Sequence, residues 1–348
     1  MKVLIFHPTQ LPPKDYGGVE RIVLWLAKGL VERGHEVWVA AFPGSRLPAG
    51  AKLWEVKPEN SSPEILLTRD LPPGIDLIHF FTPPSLELAA DLKIPYVFTL
   101  QGNGQEGERF PKNTVFISQD HARRHGGRVC VYNSVDPDEH VFEPERKNDS
   151  YLFLSKTSWK VKNLTGAIDF CRRANVPLKI AGGDRPYITR AEVLIRSFLR
   201  GPKMQWIGPV NGKAKAELMA RAKAFLFPVI WPEPFGIVIA EALISGTPVL
   251  GSRRGSVPEL VTPDVGAILD TEEEWIEMLS RKKLPWEPAV CRQRAMERFH
   301  FRVMCAAYET VYQKVLSGVP LHENQPVANA WAYEEIAKKS DQEIGAST

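Results

Sequence analysis

Residues 228–251 read PVIWPEPFGIVIAEALISGTPVLG, and this stretch decides the fold. Pro234 stands where a first-turn proline is tolerated, because its missing N–H would have no intrahelical partner there. Gly246 stands where a helix ends on a left-handed residue. The apolar runs at 224–227 and 248–251 are short and bounded by turn residues, as buried parallel strands are. The local order is therefore strand, loop, helix, strand. The helix is expected to begin near Phe235 and Gly236, so the N–H groups of Gly236 and Ile237 lack intrahelical acceptors and favour an anion. Gly236 has no side chain to keep a phosphate away. Glu233 stands just before the helix and Glu241 one to two turns inside it. Two carboxylates so placed are able to hold hydroxyls of a sugar or ribose. The plainer alternative is a Glu233 favoured by the helix dipole and a solvated Glu241.

The same pattern extends in both directions. Residues 2–7 read as a strand, a proline-rich loop closes with Gly17-Gly18, and Val19, Ile22, Val23, Leu26 and Leu30 recur at helical spacing. Further strands are expected at 36–41, 77–81, 96–100, 114–118 and 129–132. An unperiodic stretch rich in Asp, Glu, Pro and Lys follows at 133–149. Strands are expected again at 151–155, 178–181 and 204–207. Helices are expected at 163–174, 213–221, 275–279 and 287–316, with a short one at 328–338. Strands alternating with helices imply parallel sheets, hence an α/β protein of two Rossmann-like domains. A chain of 348 residues also exceeds what one core usually supports, roughly 250–300 residues. The expected division is a first domain at 1–142, a linker at 143–150, a second domain at 151–298, a helix at 299–318 and a polar tail at 319–348.

Other chemistry-bearing residues fall at strand ends, where ligands bind in such folds. Lys156 follows one strand and Lys162 precedes the next helix; two fixed cations there would stabilise the charge on a departing nucleoside diphosphate. Read alone, they are also two surface lysines. Gly17 and Gly18 lie between a strand and a helix N-terminus, which suits either a phosphate or a simple tight turn. Residues 99–104, TLQGNG, follow a strand and carry Gln101 and Asn103. His79 alternates with apolar residues and reads as a core or strand-edge histidine. Asp136-Pro137-Asp138 mimics an Asp-x-Asp metal motif but lies in the linker pattern, so no metal site is expected. Arg123, Arg124, His125 and Arg128 read as a solvated loop, with an anionic acceptor or membrane surface as the alternative.

Several ordered motifs resemble one family. EPFGIVIAEALISGTPVL resembles the Glu-x7-Glu motif of the family-4 retaining glycosyltransferases with the GT-B fold. YGGVERIV and RGHEV resemble that family's first loop, helix and second strand; NSVDPDEHVF resembles its interdomain linker and GSVPELV the turn after its Glu-x7-Glu helix. The resemblance runs from Met1 to about Leu316. It implies two Rossmann-like domains facing a central cleft, a nucleotide-sugar donor held mainly by the second domain, and an acceptor held by the first. It further implies that Glu233 bonds the donor sugar, Glu241 holds the ribose, and Gly236 and Ile237 face the diphosphate. Gly17, Gly18, Asn103, Gly183, Val210 and Phe235 would complete the donor contacts. Lys156 takes a position that is usually Arg, and Gln101 one that is often His near the donor's C6 hydroxyl. Gln cannot ionise, yet it both donates and accepts hydrogen bonds. The helix at 299–318 would cross back onto the first domain.

The implied activity is retaining, metal-independent transfer of a hexose from a UDP- or GDP-linked donor to a sugar, lipid-linked or small-molecule hydroxyl, with no cofactor. The alternatives are a nucleotide-sugar epimerase on the same fold and a catalytically silent nucleotide-sugar-binding subunit, the latter suggested by Gln101. Bulk properties narrow the field. A formal charge of +3 argues against a dedicated nucleic-acid binder. The four cysteines, Cys130, Cys171, Cys291 and Cys305, form no Cys-x-x-Cys pair, which fits a reducing, cytoplasmic setting and no structural zinc. No apolar run is long enough to span a membrane, so only peripheral membrane contact is left open.

Overall fold

A computed structural model describes residues 1–13, 17–67, 69–183 and 204–329. Among these, the chain forms two units, one built from Met1–Val135 with 299–329 and the other from Asp136–Arg298.

The first unit contains β1 (Lys2–Phe6), α1 (Gly18–Glu32), β2 (Glu36–Ala41), β3 (Lys52–Glu55), β4 (Leu77–Phe80), α2 (Leu86–Asp91), β5 (Tyr96–Thr99), β6 (Thr114–Val115) and α3 (Gln119–Arg124). Its strands form one parallel sheet in the order β3-β2-β1-β4-β5-β6. β1, β4 and β5 are almost wholly buried, which explains their unbroken apolar sequences.

The second unit contains β7 (Tyr151–Leu154), α4 (Leu164–Arg173), β8 (Leu178–Ala181), β9 (Met204–Gly208), α5 (Gly212–Arg221), β10 (Phe225–Phe227), α6 (Ile237–Ile244), β11 (Val249–Gly251), α7 (Val257–Leu260), β12 (Gly266–Ile268), α8 (Glu272–Ser280) and α9 (Pro288–Phe299). Its parallel sheet has the order β12-β11-β10-β7-β8-β9. The expected pair of Rossmann-like parallel sheets is therefore present. Strand order reverses between β1 and β4 in one sheet and between β7 and β10 in the other. A reversal leaves a crevice outside the carboxyl ends of the two strands, because the flanking connections depart to opposite faces.

The last helix, α10 (Phe301–Leu316), packs in the first unit. A Cβ on Gly29 of α1 would overlap the Cys305 sulfur, so the glycine is what lets α1 and α10 approach. Tyr308 and Tyr312 of α10 reach the sheet. His79 lies 2.7 Å from the Tyr312 hydroxyl and 2.8 Å from that of Thr99, which in turn lies 2.9 Å from Tyr308. His79 is thus a fully buried core histidine.

Local departures from expectation have physical causes. The helix expected across 287–316 breaks at His300, whose backbone is extended because the Val135 N–H and C=O bond Phe299 and Phe301 on either side of it. The strand expected at 129–132 is reduced to a single bridge between Phe116 and Cys130. β3 and β12 were not expected; both are short edge strands, β3 with exposed Lys52 and Glu55 at its ends and β12 only three residues long. The helix expected at 328–338 lies almost entirely outside the described residues.

Candidate functional site

In the second unit the loops after β7 and β10 meet at the strand-order reversal, tied by the Ile230 N–H donating to the Val161 carbonyl at 3.0 Å. Asn163 adopts the left-handed conformation, which asparagine tolerates, and its side chain caps α4 by accepting from the Gly166 N–H. That cap ends the β7 loop immediately after Lys162. The Lys162 ammonium donates to Glu233 Oε2 at 2.6 Å, and the Trp231 indole N–H donates to the same oxygen at 2.6 Å. Glu233 is 6 % exposed, so its charge is compensated by close partners instead of bulk water. Lys162 also faces the rings of Trp231 and Phe227 at 4.9 and 5.5 Å.

The turn at 254–256 fixes the main chain that carries Glu233. Gly255 has φ +56°, and any Cβ there would overlap the Glu233 backbone. The Ser256 N–H donates to the Glu233 carbonyl at 2.9 Å, and its hydroxyl to the Phe235 carbonyl at 2.8 Å. This accounts for the GSVPELV sequence after the helix.

α6 begins at Ile237, with left-handed Gly236 as its N-cap and no side chain capping it. Its first N–H groups are thus left for an anion. Glu241 is buried inside α6, 1 % exposed, and accepts from the Lys215 ammonium of α5 at 2.5 Å. The alternative of a solvated Glu241 is overturned: burial in the apolar body of α6 and a lysine partner keep it from water. Gly183, at φ +69°, packs against Thr157, and Gly182 donates to the Gly208 carbonyl at 2.9 Å. The ends of β7, β8 and β9 therefore lie side by side, bringing Lys156, Gly183 and Val210 to one sheet edge. Lys156 is exposed and lies 5.1 Å from the ring of Trp159, itself 46 % exposed. Phe235 is buried, so it offers a ligand its backbone only.

In the first unit, Gly17 caps α1 without a side-chain bond, and open space surrounds the position a Gly18 Cβ would take. Gln101, just beyond β5, exchanges two amide hydrogen bonds with buried Asn133 at 3.2 and 2.8 Å. The next residues are clamped by α3 and its C-cap. His121 Nε2 donates to the Gly102 carbonyl at 2.9 Å, Arg124 donates to the Asn103 side chain at 2.9 Å, and His125 Nε2 to the Asn103 carbonyl at 2.6 Å. The solvated-loop reading is therefore corrected for Arg124 and His125, which are buried against this loop; Arg123 and Arg128 are exposed. Burial lowers the pKa of both His121 and His125.

Asp136 accepts from the Asp138 N–H at 3.1 Å and caps a single 3-10 turn. Among the described residues no group of three or more His, Cys, Asp or Glu side chains could hold a metal ion. Among the same residues no helix is long and apolar enough to cross a membrane. Trp231, Lys215, Trp159 and His121 are the site neighbours that sequence reasoning missed; only Trp231, within IWPEP, carried a local signal.

Comparisons with known proteins converge on one fold and one family of enzymes. The model described as glycosyl transferases group 1 matches residues 136–282, and that described as glycosyltransferase family 4 matches 16–130. The chain is 25% identical over 378 residues to an uncharacterized glycosyltransferase of Methanocaldococcus jannaschii, covering 88% of this chain and 92% of that one. It is 26% identical over 151 residues to sucrose synthase isoform 1 of Daucus carota, covering 38% of this chain and only 19% of that longer protein. Among solved structures, AviGT4, a glycosyltransferase involved in avilamycin A biosynthesis, superposes with a TM-score of 0.76 at 23% identity, covering 91% of this chain and 98% of the other. Anabaena HepE in complex with UDP-glucose superposes with a TM-score of 0.64 at 18% identity, covering 90% and 100%. The fold of these structures is GT-B.

Proposed function

Because the chain belongs to the group 1 glycosyltransferases, we propose that it transfers a hexose, with retention, from a UDP- or GDP-linked donor to a hydroxyl acceptor without a bound metal. The observation that carries this reading is the buried Glu233 carboxylate at the β7/β10 reversal, held by Lys162 and Trp231 one turn ahead of an uncapped α6. A carboxylate fixed by two donors keeps lone pairs for sugar hydroxyls, and the α6 amides and Lys162 supply positive charge for a diphosphate. Lys156 adds an exposed cation at the same edge. Glu241, oriented by Lys215, is the proposed ribose contact. Retention follows if the acceptor attacks from the leaving-group face and a diphosphate oxygen takes its proton. The UDP-glucose bound to HepE makes UDP-hexoses the first donors to try.

A thermal-shift screen over UDP-, GDP- and ADP-linked sugars, followed by mass spectrometry of products, tests the proposal. A donor that stabilises the protein and is consumed with release of its diphosphate supports it. Conversion of the donor sugar without diphosphate release would point instead to an epimerase. Binding without consumption would point to a silent subunit, which the locked Gln101–Asn133 pair favours.

A further inference from the structure

Trp159 lies in the loop after β7, at the β7/β10 reversal of the second unit's sheet. It is 46 % exposed, and among the exposed large apolar side chains of the described residues it is the only aromatic one. An apolar side chain exposed singly needs no explanation, but Trp159 has company. Its ring meets that of Trp231 edge to face, with centroids 6.3 Å apart. The Lys156 ammonium lies 5.1 Å from the Trp159 ring and the Lys162 ammonium 6.0 Å from it.

The backbone holds this indole in place. The Trp159 N–H donates to the Lys156 carbonyl at 3.0 Å, the Lys162 N–H to the Trp159 carbonyl at 3.0 Å, and the Asn163 N–H to the Lys160 carbonyl at 2.8 Å. These successive turns set an apolar surface in solvent at the edge where parallel sheets bind ligands. The Lys162 ammonium also donates to Glu233 Oε2, so a single lysine separates the indole from the carboxylate. Lys162 and Trp231 both meet Oε2; Oε1 takes no hydrogen bond from the described residues and is not sealed from solvent. The site therefore offers an apolar face and an open acceptor oxygen, with cations between them. A diphosphate uses only the cations. A hexose matches the rest. One face of its ring is lined with C–H groups, which suit the electron-rich face of an indole, and its rim carries hydroxyls that donate to a carboxylate.

We propose that Trp159 is a binding residue for the hexose of the donor, stacking on its C–H face while Glu233 Oε1 accepts from one of its hydroxyls. This rests on the transfer reading above and adds to it a residue that distinguishes the sugar-bearing donor from the free diphosphate.

The test is calorimetric titration of the full-length wild type, Trp159→Phe and Trp159→Gln with UDP, UDP-glucose, UDP-galactose, GDP and GDP-mannose. The readout is the Kd of a nucleotide sugar divided by the Kd of its own diphosphate, taken within one protein. A partly unfolded variant weakens both ligands by the same factor and leaves this ratio unchanged. Trp159→Gln should raise the ratio roughly ten-fold, the loss of one stacking contact, and Trp159→Phe, which keeps a ring, by no more than about three-fold. An unchanged ratio in Trp159→Gln would overturn the proposal. With both affinities lowered alike, the indole serves the base or the diphosphate; with neither lowered, it is a surface side chain. A ratio in Trp159→Phe as high as in Trp159→Gln would overturn it too, since a ring would then confer nothing. A wild type that binds a diphosphate but none of the sugar conjugates overturns this proposal alone. A wild type that binds none of the five overturns the transfer reading as well.

Discussion

The Lys162–Glu233 and Lys215–Glu241 pairs join residues that sequence spacing does not connect, and their environments assign them different work. Lys162 touches both the carboxylate and the aromatic wall. Lys162→Ala should cut turnover by roughly 10²–10³-fold, the usual loss for one charge stabiliser, while steady-state kinetics with the donor found by screening reads the change. Full turnover in that variant would remove Lys162 from the site. Lys215 reaches Glu241 from inside the fold, so Lys215→Met should cost about 3–5 kcal/mol of stability by leaving a buried carboxylate without its lysine, as urea unfolding would show. Buried histidines add a pH dependence. Burial holds His79 down at about 3 and His7 at about 4, against an ordinary 6.5 in the unfolded chain. Between those values the unfolded state binds more protons. Stability is therefore complete above pH 6.5 and falls as pH drops from there towards 4, by about 1.4 kcal/mol per pH unit per histidine. His79→Gln should flatten the slope of unfolding free energy between pH 6 and 5; an unchanged slope would contradict the burial account. Glu233 and Lys162 were legible as candidates because strand ends and helix starts announce themselves locally. Lys215 was not, nor was the burial of Arg124 and His125 against the loop after β5, because only the tertiary fold reveals whom a charged side chain meets.

At the scale of elements, glycines at close approaches set the geometry. Gly29→Ala should gain about 1 kcal/mol in helix propensity, yet its Cβ would overlap Cys305 across the α1–α10 contact. Overpacking of this kind costs typically 1–3 kcal/mol, so the variant should melt lower than the wild type. Adding Cys305→Ala should restore most of the loss, and no recovery in the double variant would show that the contact is not the cause. Helix stripes such as Val19–Leu30 were readable because burial repeats with the helical period. The break at His300 was not readable, because it is made by Val135, far away in sequence. β3 escaped notice because its ends, Lys52 and Glu55, are exposed and break the apolar run that marks a central strand, and β12 because three residues are too few to show a period.

For the whole molecule, the alternation of strands and helices was enough to foretell two parallel sheets, since a parallel connection needs a crossover helix. The identities of base, sugar and acceptor depend on a few side chains at each sheet edge, and no periodicity encodes them. The central claim is that this chain releases a nucleoside diphosphate from a hexose donor with retention and without metal. Proton NMR of UDP-glucose, UDP-galactose and GDP-mannose, each incubated with the protein in excess EDTA, follows the donor, the diphosphate and the first-formed sugar anomer in one sample. The account predicts that one α-linked donor is consumed, that diphosphate appears in step with it, and that the new product is α at first appearance. A β product, a change of donor sugar without diphosphate release, or consumption only after Mg²⁺ or Mn²⁺ is added in excess of EDTA would contradict it.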